Sequence, residues 1–126
     1  MYNDFHKKER LKSKIVFDEL MFSGNSLKKH PFIIVWKKLN KPQEYPIKIA
    51  FSVSKKRFPL AVDRNQMKRK IREIYRLKKS DIYNKLTHNF AVLLIYTSKE
   101  KMKSDVLQNK LMLVFQSFIE DVKESD

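Results

Sequence analysis

Residues 51–76 read FSVSKKRFPLAVDRNQMKRKIREIYR, and the fold turns on how that run divides. Its first residues end an alternating segment, 47–53 (IKIAFSV), with Ile47, Ile49, Phe51 and Val53 on one face and Lys48, Ala50 and Ser52 on the other. A period of two predicts a strand. From Asp63 the period becomes helical. At about 100° per residue, Arg64, Lys68, Arg72, Arg76 and Lys79 share a sector about 120° wide, with Asn65 and Arg69 at its edge. Met67, Ile71, Ile74 and Tyr75 supply apolar positions to pack on a sheet, and Asp63 is placed to cap the helix through its carboxylate.

Cations spaced by four on a helix repel one another by a few tenths of a kcal/mol per pair. Glu73 is the only acid inside the segment and lies off the row. A row left uncompensated in this way suits phosphates, which would neutralise it. Lys55, Lys56 and Arg57 follow the strand end and extend the same surface. Arginine and asparagine add planar, bidentate hydrogen bonding that lysine lacks, which fits structured RNA.

The flanks complete an α+β pattern. Residues 32–38 (FIIVWKK) follow Pro31 and read as a strand, and 41–46 (KPQEYP) as a loop with two prolines. The strands 32–38 and 47–53 are expected to form an antiparallel hairpin. Residues 90–96 (FAVLLIY) are apolar throughout, the signature of a central strand covered on both faces. A helix is expected from Ser13, with Ile15, Val16, Phe17, Leu20, Met21 and Phe22 covering most of its circumference and Gly24 at C′. That helix lies between two layers or offers a second apolar face to a ligand. A last helix, 104–122, carries Leu107, Leu111, Val114, Phe115, Phe118 and Val122 on one stripe. Residues 1–12 are expected to be a flexible basic arm. Residues 1–126 form a single RNA-binding domain on this reading.

Composition narrows the function. The 126 residues carry a net charge of +14, and all of it lies in the first two thirds. Residues 1–80 hold 22 Lys and Arg against 7 Asp and Glu, whereas 81–126 hold 6 against 7. A surface charged only for solubility would mix the signs along the chain. The absence of Cys removes disulfides, thiolate metal sites and cysteine nucleophiles, and a single Gly removes the P-loop and dinucleotide fingerprints. His6, His30 and His88 are scattered, and Asp18 and Glu19 are helix neighbours that point apart. No catalytic residue and no metal site is expected. No apolar run reaches membrane-span length, so the expected location is the cytoplasm. Nucleic acid is the first-choice partner.

The run 51–76 closely resembles the core of the bacterial ribonuclease P protein component. That family shows a strand ending in S-V-S-K-K, a short loop, then A-V-x-R-N-R-x-K-R-x-x-R-E. Upstream, ERLKSKIVFDELMFSG resembles the family's first helix, and the later elements fall in family order. The third motif position holds Gln66 where the family has Arg, which implies a weaker or hydrogen-bonded contact there. The resemblance implies a four-stranded mixed sheet with three helices in αβββαβα order and a left-handed crossover. It also implies a role as accessory subunit of an endoribonuclease that matures the 5′ end of transfer RNA. In that role a catalytic RNA holds Mg²⁺, and the partners are ribonuclease P RNA, in a 1:1 assembly, and precursor transfer RNA. Phe17, Met21, Ile33 and Val35 match a cleft that takes the single-stranded 5′ leader, Met21 and Val35 standing where family members often have aromatics. Three rival readings fit parts of the pattern. They are a different structured-RNA binder, a metal-dependent protein nuclease lacking clustered acids, and a membrane-surface protein using the basic and apolar faces of 63–79.

Overall fold

The computed structural model describes residues 7–124. After a short 3₁₀ turn at Lys7–Glu9 come α1 (Lys14–Ser23), β1 (Asn25–Lys29), β2 (Phe32–Leu39), β3 (Ile47–Val53), α2 (Ala61–Tyr83), β4 (Asn89–Tyr96) and α3 (Ser104–Glu124). The strands form one mixed sheet in the order β1-β2-β4-β3. β3 runs parallel to β4, whereas β1–β2 and β2–β4 are antiparallel. Helix α2 is thus the crossover between two adjacent parallel strands.

The expected hairpin of residues 32–38 and 47–53 does not form, because β4 lies between them. A strand apolar at every position needs a ladder on both edges and cover on both faces, and β4 receives all four. The hairpin is made instead by β1 and β2, with Leu27 opposite Ile34. β1 (NSLKK) is an edge strand in which only Leu27 is half-buried, so it lacks the alternation that marks a strand in sequence.

The main core fills one side of the sheet. Phe32, Ile34 and Trp36 of β2, Ile47, Ile49 and Val53 of β3, and Phe90, Val92, Leu94 and Tyr96 of β4 meet α2 and α3 there. All six stripe residues expected on the last helix are buried. Phe118 packs edge-on to Trp36 and Phe90, with ring centroids 5.2 and 5.3 Å away. A smaller cluster on the other side joins Leu20 of α1 to Ala91 and Leu93 of β4, with Leu11, Val16, Val35 and Ile95 around it.

Helix α1 starts where Ser13 Oγ accepts from the Val16 amide at 3.3 Å. It ends at Gly24, whose φ of −70° is not left-handed. Glycine is needed there for room, since a Cβ would lie 2.5 Å from the Leu20 carbonyl oxygen and 2.9 Å from Val35 Cγ1. Helix α2 begins two residues before Asp63, with Leu60 at N-cap and no side-chain cap. Asp63 sits in the first turn and accepts from Lys101 Nζ at 2.9 Å instead.

The arm expected over residues 1–12 is built into the fold from Lys7 onward, and residues 1–6 lie outside the described residues. The Leu11 amide donates to the Ile49 carbonyl at 2.9 Å, on the outer edge of β3. Glu9 is wholly buried. No helix among the described residues is long and apolar enough to cross a membrane.

Candidate nucleic-acid interface

Two surfaces carry the residues singled out in the sequence. The first is the β3–α2 turn with the adjoining flank of α2. Lys55, Lys56 and Arg57 are exposed on a turn closed by the Phe58 amide donating to the Ser54 carbonyl at 2.9 Å. Phe58 is buried and pins the turn to the core. On α2, Asn65 and Arg69 are exposed, and Arg64, Lys68, Arg72 and Arg76 are half-buried. The half-burial has a geometric cause. Residues spaced by four drift about 40° per step, so the row winds along the flank of the buried face.

Two members of that row have partners the sequence did not reveal. Arg64 Nη1 donates to the Phe58 and Pro59 carbonyls at 2.9 and 2.8 Å. The guanidinium therefore ties the turn to the helix and is held in one orientation. Arg76 donates through Nε to Glu73 at 3.1 Å and forms an ion pair with it one turn away. Arg76 holds the exposed Glu73 carboxyl below the usual carboxylate range. Arg69, Arg72, Glu73 and Arg76 frame a shallow hollow on this flank. Gln66 is exposed beside them.

Lys79 leaves the row altogether. Its ammonium is buried and donates to both oxygens of Glu9 at 2.7 Å. The Tyr83 hydroxyl donates to Glu9 Oε1 at 2.6 Å, and the Tyr75 hydroxyl to that of Tyr83 at 3.1 Å. Glu9 comes from 70 residues upstream, so no helical spacing could have located its partner. Burial pushes the Tyr75 and Tyr83 hydroxyls well above the usual tyrosine range.

The second surface is the α1 side of the sheet. Leu20 is the contact residue of α1, and Phe17 and Met21 flank it, 37% and 59% exposed. Ile33 and Val35 of β2 are half-buried and pair with Ile95 and Leu93 of β4. Strand alternation places these four side chains on the face that α1 crosses. Ile95, half-buried there, was not distinguished in sequence because every residue from 90 to 96 is apolar. Ile15 and Phe22, 73% and 94% exposed, lie on the outward side of α1. Among the described residues, no three His, Asp or Glu side chains gather as a metal-binding group.

A family model described as Ribonuclease P matches residues 5–118. A protein named ribonuclease P protein component from Chlorobaculum tepidum is 39% identical over 64 residues, which cover 48% of this chain and 42% of that relative. A Lactobacillus helveticus protein of the same name is 37% identical over 76 residues, covering 60% and 61%. The matched stretches thus span less than two thirds of these relatives' own length. A solved structure of the Staphylococcus aureus RNase P protein superposes with a TM-score of 0.70 at 28% identity, covering 87% of this chain and 94% of that one.

Proposed function

The chain belongs to the ribonuclease P protein family, and from that premise we propose that it is the protein subunit of a bacterial ribonuclease P. In this reading it binds the catalytic RNA and the 5′ leader of precursor transfer RNA. It thereby assists the endonucleolytic cut that forms the mature 5′ end. One observation supports this above the others. Lys55, Lys56 and Arg57 lead into a helix flank with Asn65, Lys68, Arg69 and Arg72, and the two acids of that stretch are both paired, Asp63 to Lys101 and Glu73 to Arg76. Such a surface attracts a polyanion and repels cations.

The role follows from electrostatics. Ribozyme and substrate are both polyanions, and a cationic flank between them screens their repulsion. Arg64, held by the Phe58 and Pro59 carbonyls, presents its remaining N–H groups in a fixed direction. As the family resemblance implies, Mg²⁺ would be held mainly by the RNA, where it would supply the nucleophile and charge stabilisation. The protein's own part is to bind, orient and neutralise.

The test is reconstitution of the purified chain with a bacterial ribonuclease P RNA and a 5′-extended precursor transfer RNA at low Mg²⁺. Accurate 5′ cleavage in the mixture, but not with protein alone, is expected. Lys68→Ala is expected to lower that activity about tenfold at low Mg²⁺ and to recover it at high Mg²⁺, as loss of a screening charge requires. Cleavage by the protein alone, or no stimulation of any compatible RNA, would reject the reading.

A further inference from the structure

A groove of about 390 Å³ opens at the N-terminal end of α1, away from the residues assigned above. Its floor is apolar, with Val16 of α1 and Leu39 of β2, and its walls carry Lys7, Arg10, Lys12 and Lys48. Lys8 and Glu44 also line it and pair with each other at 2.6 Å, so that carboxylate offsets one lysine and leaves the groove strongly cationic. Val16 lies about 100° round the helix from Phe17 and about 140° from Met21, so groove and cleft open in different directions from α1.

The backbone that carries these walls is fixed in place. The buried Glu9–Lys79 pair and the Leu11–Ile49 backbone bond hold the segment that carries Lys7, Arg10 and Lys12. A slip of one residue would bring Lys8 or Arg10 against the buried Lys79 ammonium, so the pair sets the register that turns the cations into the groove. An apolar floor between cationic walls suits a single strand, its bases on the floor and its phosphates on the walls, better than a duplex.

We propose that this groove is a second RNA subsite, taking single-stranded nucleotides of the 5′ leader upstream of those in the α1 cleft. The inference rests on the function proposed above. It adds a substrate contact and makes Glu9 and Lys79 positioning residues for it.

The experiment compares holoenzymes made with the natural chain and with the triple variant Lys7→Ala, Lys12→Ala, Lys48→Ala. Each is tested on precursors whose leaders have about 4 and about 16 nucleotides, the range of common single-strand site sizes. The triple variant is expected to bind the long-leader precursor about tenfold more weakly. Its log–log salt slope should be smaller by about 2, the value for three lost single-strand phosphate contacts. Binding of the short-leader precursor, and of ribonuclease P RNA alone, should be unchanged. Equal weakening of both precursors, or loss of affinity for the RNA subunit, would overturn the proposal by placing the groove against the ribozyme. No change with either leader would overturn it as well. Failure of the natural chain to stimulate cleavage at all would instead reject the function on which the proposal rests.

Discussion

Lys79 and Lys68 lie on one side of α2, yet one is buried and the other half-exposed, and the difference is a carboxylate contributed by another element. A buried ion pair adds little net stability over an apolar pair of the same size, but breaking it strands a charge in the interior. Lys79→Met should therefore lower the free energy of unfolding by about 3–5 kcal/mol, and Glu9→Met with Lys79→Met should recover much of that loss. Urea unfolding of the single and double variants checks both. The tyrosines above the pair give a pH signature. Burial raises the Tyr75 and Tyr83 pKa above the unfolded value near 10, so the folded state holds those protons more tightly than the unfolded chain does. Their contribution to stability is complete below pH 10 and falls as the pH rises beyond it, because only the unfolded chain ionises. Ultraviolet titration should show phenolate from these two residues appearing together with loss of near-ultraviolet circular dichroism, and not before it.

Among the elements, Gly24 decides how closely α1 seats on the sheet. The nearest atom to an added Cβ is the Leu20 carbonyl oxygen, part of the helix backbone, so relief requires opening the last turn of α1 or moving it off Val35. Gly24→Ala should cost about 1–3 kcal/mol, the usual range for overpacking, seen as a melting temperature lower by several degrees. The same seam shows what the sequence could convey. Alternation over residues 47–53, the all-apolar run of β4 and the stripe of α3 each encode burial through local periodicity, and each was legible with bounds within two residues. β1 was not, because a polar edge strand is specified by its neighbour β2 and hardly at all by its own residues. The pairing of β2 with β4 was likewise beyond local pattern, since two amphipathic strands separated by a turn fit a hairpin as well as they fit opposite sides of a central strand. The basic row was legible as charge. Its partners were not: the carbonyls under Arg64 and the carboxylate under Lys79 come from the tertiary fold.

At the scale of the molecule, the asymmetry along the chain becomes an asymmetry in space. Helix α3, from the near-neutral last third, closes the core on one side of the sheet, and the cations gather on the α2 flank, its preceding turn and the N-terminal groove. The α1 side of the sheet is mainly apolar, its Lys37 being paired to Glu19 of α1 at 3.3 Å, and that contrast divides the labour. Phosphates of the transfer RNA body are common to precursor and mature product, so a cationic surface that meets only those cannot favour one over the other. In the proposed role, selectivity would come from a surface that engages the leader, and base stacking on exposed apolar side chains is worth about 1–3 kcal/mol per base. Phe17 is an aromatic residue of α1, 37% exposed on the side of the sheet that carries Ile33 and Val35, and Met21 occupies a second position on α1 at 59% exposure. In the assembled holoenzyme, Phe17→Ala should therefore reduce the preference for precursor over mature transfer RNA by roughly fivefold to a hundredfold, the equivalent of one stacked base. Met21→Phe should increase it, and neither change should alter affinity for the mature product. Equilibrium binding of the two transfer RNAs to wild-type and variant holoenzymes measures this directly. A preference unaffected by both substitutions would mean that these side chains serve only to pack α1 on the sheet, and that the leader is held by its phosphates alone.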